Sequence, residues 1–162
     1  MYRMEIYVDG GCRNNGSYGA YGAAAAVFMG RSGSVLSTWT RRLHSHLIPP
    51  PTNQRAEIIA IIIAQRQAIE NYSELQYDPS LYVRIHSDSR YAVECMNVWI
   101  YNWRENGWRN ARGSEVVNRD LIEEADDLDT ELKRLGRVEY IWVPRAENVH
   151  ADRACNECMD DM

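Results

Sequence analysis

Four acidic residues stand where predicted strands end or predicted helices begin. Asp9 and Asp88 each follow an apolar run that predicts a strand, and Glu57 and Asp152 fall in the first turns of two predicted helices. In a domain of strands and helices, strand ends and the following helix starts meet at one edge of the sheet, where ligands usually bind. Four carboxylates at one edge repel one another unless a cation lies between them. The pattern therefore predicts a site for hard divalent cations, which prefer oxygen ligands.

Each acid also has an ordinary structural explanation. Asp9 alone could be a solvated strand end, and Glu57 and Asp88 could be helix N-terminal residues that the helix dipole favours. The joint placement of the four acids favours chemistry instead. Two ions about 4 Å apart can activate a water and stabilise the leaving oxygen in phosphodiester cleavage.

Length and composition predict one soluble globular domain over residues 1–162. The chain is 45% hydrophobic and 25% charged, a usual balance for such a domain. We find no signal-peptide pattern and no apolar run near the roughly 20 residues that span a bilayer, so we expect no membrane partner. The four cysteines lack framework spacing, which favours a reducing intracellular compartment, cytoplasmic or nuclear. The CxxC pair Cys155 and Cys158 has no second ligand pair, so we expect helix packing there.

The net charge of −5 does not exclude a nucleic-acid ligand. Residues 115–131 hold eight acids and one arginine, so the rest of the chain is slightly basic. Of the 18 basic residues only Lys133 is a lysine. Arginine offers a planar fork suited to phosphate, so a local basic face is possible.

Hydrophobic periodicity predicts strands and helices in the order β-β-β-α-β-α-α-β-α. We predict strands over residues 4–8, 21–29, 34–42, 81–86 and 138–143. We predict helices over residues 53–72, 89–96, 118–136 and from 148 onward, with an aromatic, arginine-rich segment over 99–113. Three successive strands with short loops imply an antiparallel meander, and the remaining order implies a mixed sheet flanked by helices.

Four segments of the chain resemble the type 1 ribonuclease H family. They are YVDGGCRNNG, TNQRAEIIA, HSDSRYAVECM followed by NGW, and AENVHADRA, in the family's order. The resemblance covers residues 4–158 and implies a ribonuclease H-like α/β fold with three antiparallel and then two parallel strands. It implies an endonuclease that cleaves the RNA strand of RNA–DNA hybrids with two Mg²⁺ ions, or Mn²⁺ in their place, leaving 3′-hydroxyl and 5′-phosphate ends. Asp9, Glu57, Asp88 and Asp152 match the family's catalytic metal ligands.

The resemblance also implies which side chains contact the RNA strand. The matching positions are Asn15, Asn53 and Gln54, with Cys12 and Asn14 as weaker candidates. An amide can both donate to and accept from a 2′-hydroxyl, the group that distinguishes RNA from DNA. The alternative is that Asn15 only forms a turn and Asn53 only caps a helix.

A tryptophan-rich segment resembles the family's basic protrusion and DNA-strand channel. Trp99 and Trp103 match channel residues, whereas we expect Trp108 to pack structurally. The interleaved arginines are suited to phosphate. The DNA-side candidates are Thr52, Asn118, Trp99, Trp103, Arg104, Arg109 and Arg112.

Two family features are missing. Thr52 and Asn118 match a pocket that binds a DNA phosphate in the family. The family's arginine in that pocket would fall near Pro50, where this chain has none. We therefore expect weaker phosphate binding, or a substitute in Arg41, Arg42 or Arg55. Many members also carry a Gly-His pair in a loop after the fifth strand that helps product leave, and the short loop over 143–148 has no histidine. His150 falls inside a predicted helix and is a poor substitute. We expect activity to be retained, with slower turnover or altered metal preference.

Two other functions remain open. A nuclease of the same fold could act on another nucleic acid, although the TNQ string and the tryptophans argue against it. A hybrid-binding module with a dead site is the non-enzymatic reading, and the presence of all four acids argues against that. We expect a monomer that binds RNA–DNA hybrid.

Overall fold

One five-stranded mixed sheet forms the centre of the molecule in a computed structural model that describes residues 1–162. The strands are β1 (Tyr2–Arg13), β2 (Tyr21–Met29), β3 (Val35–Leu43), β4 (Leu81–Ser87) and β5 (Gly136–Trp142). Their order across the sheet is β3-β2-β1-β4-β5. The first three strands pair antiparallel, and β4 and β5 add in parallel. The predicted α/β fold is confirmed.

Five α-helices flank the sheet. They are α1 (Asn53–Ser73), α2 (Arg90–Glu94), α3 (Ile100–Asn106), α4 (Arg119–Leu135) and α5 (Val149–Asp160). A π-helical turn over Cys95–Trp99 joins α2 to α3, and a 3-10 turn over Arg145–Glu147 precedes α5. No helix is long and apolar enough to cross a membrane.

Alternating side chains of β2 explain how helices cover both faces of the sheet. Ala24 and Ala26 belong to the main core together with α1, whereas Ala23 and Ala25 pack with Cys155 and Met159 of α5. Successive side chains on a strand point to opposite faces, so this alanine run is buried on both sides. The small side chains let helices approach closely, which overrides the helical propensity of alanine.

The first strand is longer than its hydrophobic pattern indicates. Pairing between β1 and β4 ends at Val8 and Ser87, whereas pairing with β2 continues to Arg13. The prediction that the strand ends at Asp9 is therefore wrong on the β2 side and right on the β4 side. Residues 10–13 (Gly-Gly-Cys-Arg) lack large apolar side chains, but they pair with β2. Asp9 consequently lies just past the parallel ladder, with its backbone held by β2.

A buried polar network joins α1, α4 and β5 behind the sheet. The Tyr140 hydroxyl donates to Asp129 Oδ1 at 2.8 Å and accepts from Gln65 Nε2 at 2.9 Å. Lys133 Nζ lies 2.7 Å from the other oxygen of Asp129, whose side chain is 5% exposed. Because Gln65, Asp129 and Tyr140 are buried, their polar atoms need these partners.

Removing the Tyr140 hydroxyl should destabilise the fold. We expect Tyr140→Phe to lower the free energy of unfolding by about 1–3 kcal/mol, because a buried carboxylate oxygen and a buried amide lose a partner. Urea denaturation measures this. Tyr101→Phe is the control, since its hydroxyl makes only an exposed bond to Lys133 at 3.3 Å. Equal effects of the two substitutions would contradict the network's role.

Candidate active site

All four acids predicted from the sequence line one cleft. Asp9, Glu57, Asp88 and Asp152 surround a volume of about 400 Å³. Asp9 comes from β1, Glu57 from the start of α1, Asp88 from the turn between β4 and α2, and Asp152 from the first turn of α5. The carboxylates therefore arrive from four different elements at one sheet edge.

A glycine allows β1 to approach α1 closely enough to bring two of the acids together. A Cβ atom on Gly10 would lie 2.2 Å from the carbonyl carbon and oxygen of Ala56, a distance that real Cβ atoms do not adopt. Asp9 precedes Gly10 and Glu57 follows Ala56. The close crossing of strand and helix thus places the two carboxylates at one point.

Hydrogen bonds fix the remaining elements around the cleft. The Ser89 hydroxyl donates to Glu57 Oε2 at 2.6 Å and accepts from Ala92 N at 3.1 Å, so one side chain holds Glu57 and caps α2. Asn148 is 1% exposed and donates from Nδ2 to the carbonyl of Val8 at 2.9 Å. This bond ties the start of α5 to β1 beside Asp9.

Burial and neighbouring negative charge raise the pKa values of three of the cleft carboxyls. Burial and, secondarily, the charges of the nearby Asp88 and Asp152 raise the pKa of Asp9 to about 8. Burial also raises the pKa of Glu57, although the hydrogen bond from Ser89 opposes the shift. The pKa of Asp88 is raised by burial too. These shifts have the causes expected when like charges share a desolvated site.

This donor set fits a divalent cation, which would relieve the repulsion. No three His, Cys, Asp or Glu side chains are arranged so that they could hold an ion as they stand. Oxygen ligands from several acids are the set that Mg²⁺ and Mn²⁺ prefer.

The RNA-side candidates divide into two groups. Cys12 and Asn53 line the cleft. Asn53 accepts from the backbone N–H of Cys12 at 2.8 Å, and its own N–H donates to Asn15 Oδ1 at 3.1 Å, so these three form one cluster. Asn14 and Gln54 do not line the cleft. Asn14 adopts φ +59° in the turn after β1, and Gln54 Oε1 lies 3.5 Å from Asn118 Nδ2.

A second pocket holds the phosphate-grip candidates. Thr52 and Asn118 line a volume of about 490 Å³ together with Arg55. Thr52 also caps α1 by accepting from Arg55 N at 3.1 Å. Of the three arginines considered as substitutes, Arg55 lines this pocket, and Arg41 and Arg42 do not. Asp120 binds both terminal nitrogens of Arg55, at 2.9 and 2.7 Å, which offsets its charge.

The tryptophans form a continuous half-buried ridge. Ring centres are 6.1 Å apart from Tyr91 to Trp99, 5.9 Å from Trp99 to Trp103, and 6.2 Å from Trp103 to Trp108. All three tryptophans pack against the main core. Trp108 is therefore structural, as predicted, but Trp99 and Trp103 share that role.

The arginines beside this ridge differ in how free they are to bind phosphate. Arg104 forms a two-pronged ion pair with Asp126, which occupies the fork predicted to bind phosphate. Arg109 and Arg112 are exposed and take part in none of the ion pairs.

Comparisons with known proteins identify the family. The RNase H family model matches residues 1–162. The ribonuclease H of Nitrosomonas eutropha is 32% identical over 166 aligned positions, which cover 100% of this chain and 93% of that protein. The chain belongs to the ribonuclease H family. Members of this family cleave the RNA of RNA–DNA hybrids, and the chain is accordingly a ribonuclease H enzyme.

Solved ribonuclease H structures share the fold over nearly the whole chain. The N-terminal RNase H domain of a Mycobacterium tuberculosis protein has a TM-score of 0.69 at 25% identity, with 99% of this chain and 96% of that chain covered. LC11-RNase H1, solved in complex with RNA/DNA hybrid, has a TM-score of 0.69 at 23% identity, with coverages of 98% and 97%.

Two arginines line this ribonuclease H cleft that were not assigned from the sequence. Arg145 Nη2 lies 3.7 Å from Asp152 Oδ1 and is 80% exposed, and Arg13 pairs with Asp160 at 2.7 Å. The place of Arg145 in the short loop that leads into the predicted helix of Asp152 was the available signal. His150 lies outside the cleft, in a separate cavity with Tyr7 and His86.

Gly10→Ala should disrupt the ribonuclease H cleft. The added methyl collides with backbone at Ala56, so β1 or α1 must shift, and we expect both a lower unfolding midpoint and loss of hybrid cleavage. Gly11→Ala is the matched control, because its Cβ would meet side chains alone: the flexible end of Met159 at 3.3 Å and Cys155 Sγ at 3.8 Å. Thermal unfolding and a cleavage assay compare them. Equal tolerance of both substitutions would refute the close-approach argument.

Asp9→Asn should stabilise the metal-free protein in a pH-dependent way. In EDTA the folded-state pKa of Asp9 is about 8, above the ordinary value of 3.8. Between these values the unfolded chain has lost the proton and the folded one retains it, so wild-type stability falls as pH rises. Each pKa unit corresponds to about 1.4 kcal/mol.

The stability gain of Asp9→Asn should therefore grow from about pH 4 to about pH 8 and then level off. Urea denaturation at several pH values measures it, with the exposed Asp127→Asn of α4 as control. A gain that is constant with pH would show that Asp9 ionises normally in the fold.

Proposed function

We propose that this ribonuclease H is an endonuclease that hydrolyses the RNA strand of RNA–DNA hybrids, using two divalent cations held by Asp9, Glu57, Asp88 and Asp152. The convergence of these four carboxylates in one cleft is the observation that supports it. The raised pKa of Asp9 supports a cation requirement, because only positive charge lets all four acids ionise together.

Mg²⁺, or Mn²⁺ in its place, supplies activation of the attacking water and neutralises charge on the leaving oxygen when bound. The carboxylates of the chain fix where that chemistry takes place. Ser89 orients Glu57, and Asn148 sets α5 so that Asp152 faces Asp9. Attack of water at phosphorus with departure of the RNA 3′ oxygen leaves 3′-hydroxyl and 5′-phosphate ends.

Polar groups beside the carboxylates are suited to recognise the RNA strand. The cluster of Cys12, Asn15 and Asn53 offers amide donors and acceptors at the cleft wall. A 2′-hydroxyl both donates and accepts, so such groups discriminate RNA from DNA. Arg145 is exposed beside Asp152, so its positive charge is available to an anionic product in the cleft. It is the residue we assign to the role that a loop histidine has in many relatives.

We assign the DNA strand to the side of α2 that faces away from the RNA-binding cluster. Thr52 and Asn118 bind a phosphate there, and Trp99 and Trp103 support the sugars, while Arg109 and Arg112 add charge. Arg104 contributes less to DNA binding than predicted, because its guanidinium is already paired with Asp126. We further propose a monomer, and a reducing compartment suits its four free thiols.

Cleavage of an end-labelled RNA–DNA hybrid tests this proposal. Wild type with Mg²⁺ or Mn²⁺ should cut the RNA strand, and EDTA should abolish cutting. Asp88→Asn should reduce the rate by more than about a hundredfold, since even outer-shell partners of a metal site contribute 10–100-fold. Asp127→Asn, an exposed acid of α4, is the matched control. Phosphatase sensitivity of the 5′ end identifies the products.

The outcomes separate the alternatives. Cutting of duplex RNA or duplex DNA at the hybrid rate would assign the chain another substrate. Hybrid binding without cutting in either metal would identify a non-catalytic binding module.

A further inference from the structure

A stacked pair of side chains lies beside Asp88 at the edge of the cleft. The guanidinium carbon of Arg90, the first residue of α2, lies 3.9 Å from the centre of the Trp142 ring. Trp142 is the last residue of β5 and is 37% exposed. We call this pair the Arg90–Trp142 platform.

The sheet fixes the position of the platform. Trp142 is in register with Ser87 in the parallel ladder, and the next residue, Val143, donates its N–H to the Ser87 carbonyl at 2.9 Å. The indole Nε1 donates to the backbone carbonyl of Asp88 at 3.1 Å. The ring is therefore held at both its backbone and its edge, and it touches the backbone of a cleft carboxylate directly.

Arg90 is distinguished from every other arginine stacked on a ring by its free charge. Arg3, Arg104, Arg119 and Arg137 also lie over aromatic rings, but each pairs with a glutamate or aspartate. Arg90 takes part in none of the ion pairs. Stacking occupies the face of a guanidinium and leaves its in-plane N–H donors available.

Neighbouring residues of α2 point to different sides of the cleft. Tyr91 faces the tryptophan ridge, 6.1 Å from the Trp99 ring, and its hydroxyl accepts from Asn118 Nδ2 at 3.0 Å. Arg90 instead faces β5. In a bound hybrid, the nucleic-acid strand next to the tryptophan ridge would therefore differ from the strand that Arg90 can reach.

We propose that the Arg90–Trp142 platform binds a backbone phosphate of the RNA strand next to the cleavage point. Arg90 makes the contact, and Trp142 is a positioning residue that holds both the guanidinium and the Asp88 backbone. A planar fork with a fixed orientation matches phosphate geometry and loses little freedom on binding. This inference rests on the proposed function and adds a recognition site to it.

Substitutions of Arg90 and of Trp142 should have different effects on binding and turnover. Arg90→Ala should raise KM about tenfold and lower the dependence of log affinity on log salt by about one unit, because one phosphate contact is lost. Arg90→Lys keeps the charge without the fork and should recover part of the affinity. Trp142→Ala should give most of the affinity loss of Arg90→Ala. Trp142→Phe keeps a stacking ring but loses the N–H, so it should lower kcat with KM near wild type.

Hybrid binding in EDTA across a salt series, together with KM and kcat in Mg²⁺, tests the platform. Arg134→Ala is the matched control, an exposed arginine at the end of α4 without an ion pair. Unfolding midpoints exclude misfolded variants. Arg90 is exposed, so its substitution decides the question even if Trp142→Ala does not fold.

Failure of the platform and failure of the proposed function give different results. If wild type does not cut hybrid, the proposed function is wrong. If wild type cuts and Arg90→Ala matches Arg134→Ala in KM and salt slope, the platform is overturned and the function stands. Full affinity in a folded Trp142→Ala would also overturn it, because stacking would then contribute nothing.

Discussion

Repulsion among carboxylates held in one desolvated cleft is the constraint that the surrounding structure has to overcome. Burial, together with the charges of Asp88 and Asp152, raises the pKa of Asp9 to about 8, so without a cation this carboxyl is mostly protonated at neutral pH. Three contacts hold the carboxylates in place despite their repulsion. Gly10 allows β1 to touch α1, and the Ser89 hydroxyl binds Glu57. Buried Asn148 anchors the start of α5 to β1. These contacts hold the four carboxylates around one cleft.

An acidic protein can still recognise a polyanion because its charges are divided between surfaces. Acids on and beside α4 pair with Arg55, Arg104 and Arg119, which leaves other arginines free near the cleft. Arg90 and Arg145 are exposed on the side where β5 ends. Net charge consequently says little about the substrate, because it does not show which arginines lie exposed near the cleft.

Much of the fold and the four acids could be predicted from the sequence, because both depend on local patterns. Apolar alternation marks the strands, and each acid stands next to such a pattern. The length of β1 could not be predicted, since residues 10–13 lack an apolar alternation and are held in the strand by pairing with β2. The pairing of Arg104 with Asp126 and of Arg55 with Asp120 joins residues 22 and 65 positions apart. The stacking of Arg90 on Trp142 is likewise tertiary, so no local pattern reveals it.

Anomalous diffraction from crystals of the wild-type protein soaked in MnCl₂ tests the central claim most directly. If the four carboxylates form the metal site, anomalous density should lie within the cleft, at about 2–2.3 Å from oxygens of Asp9 and its neighbours. Two peaks about 4 Å apart in crystals that also contain hybrid would match a two-ion site. Density elsewhere on the protein with none in the cleft would contradict the account.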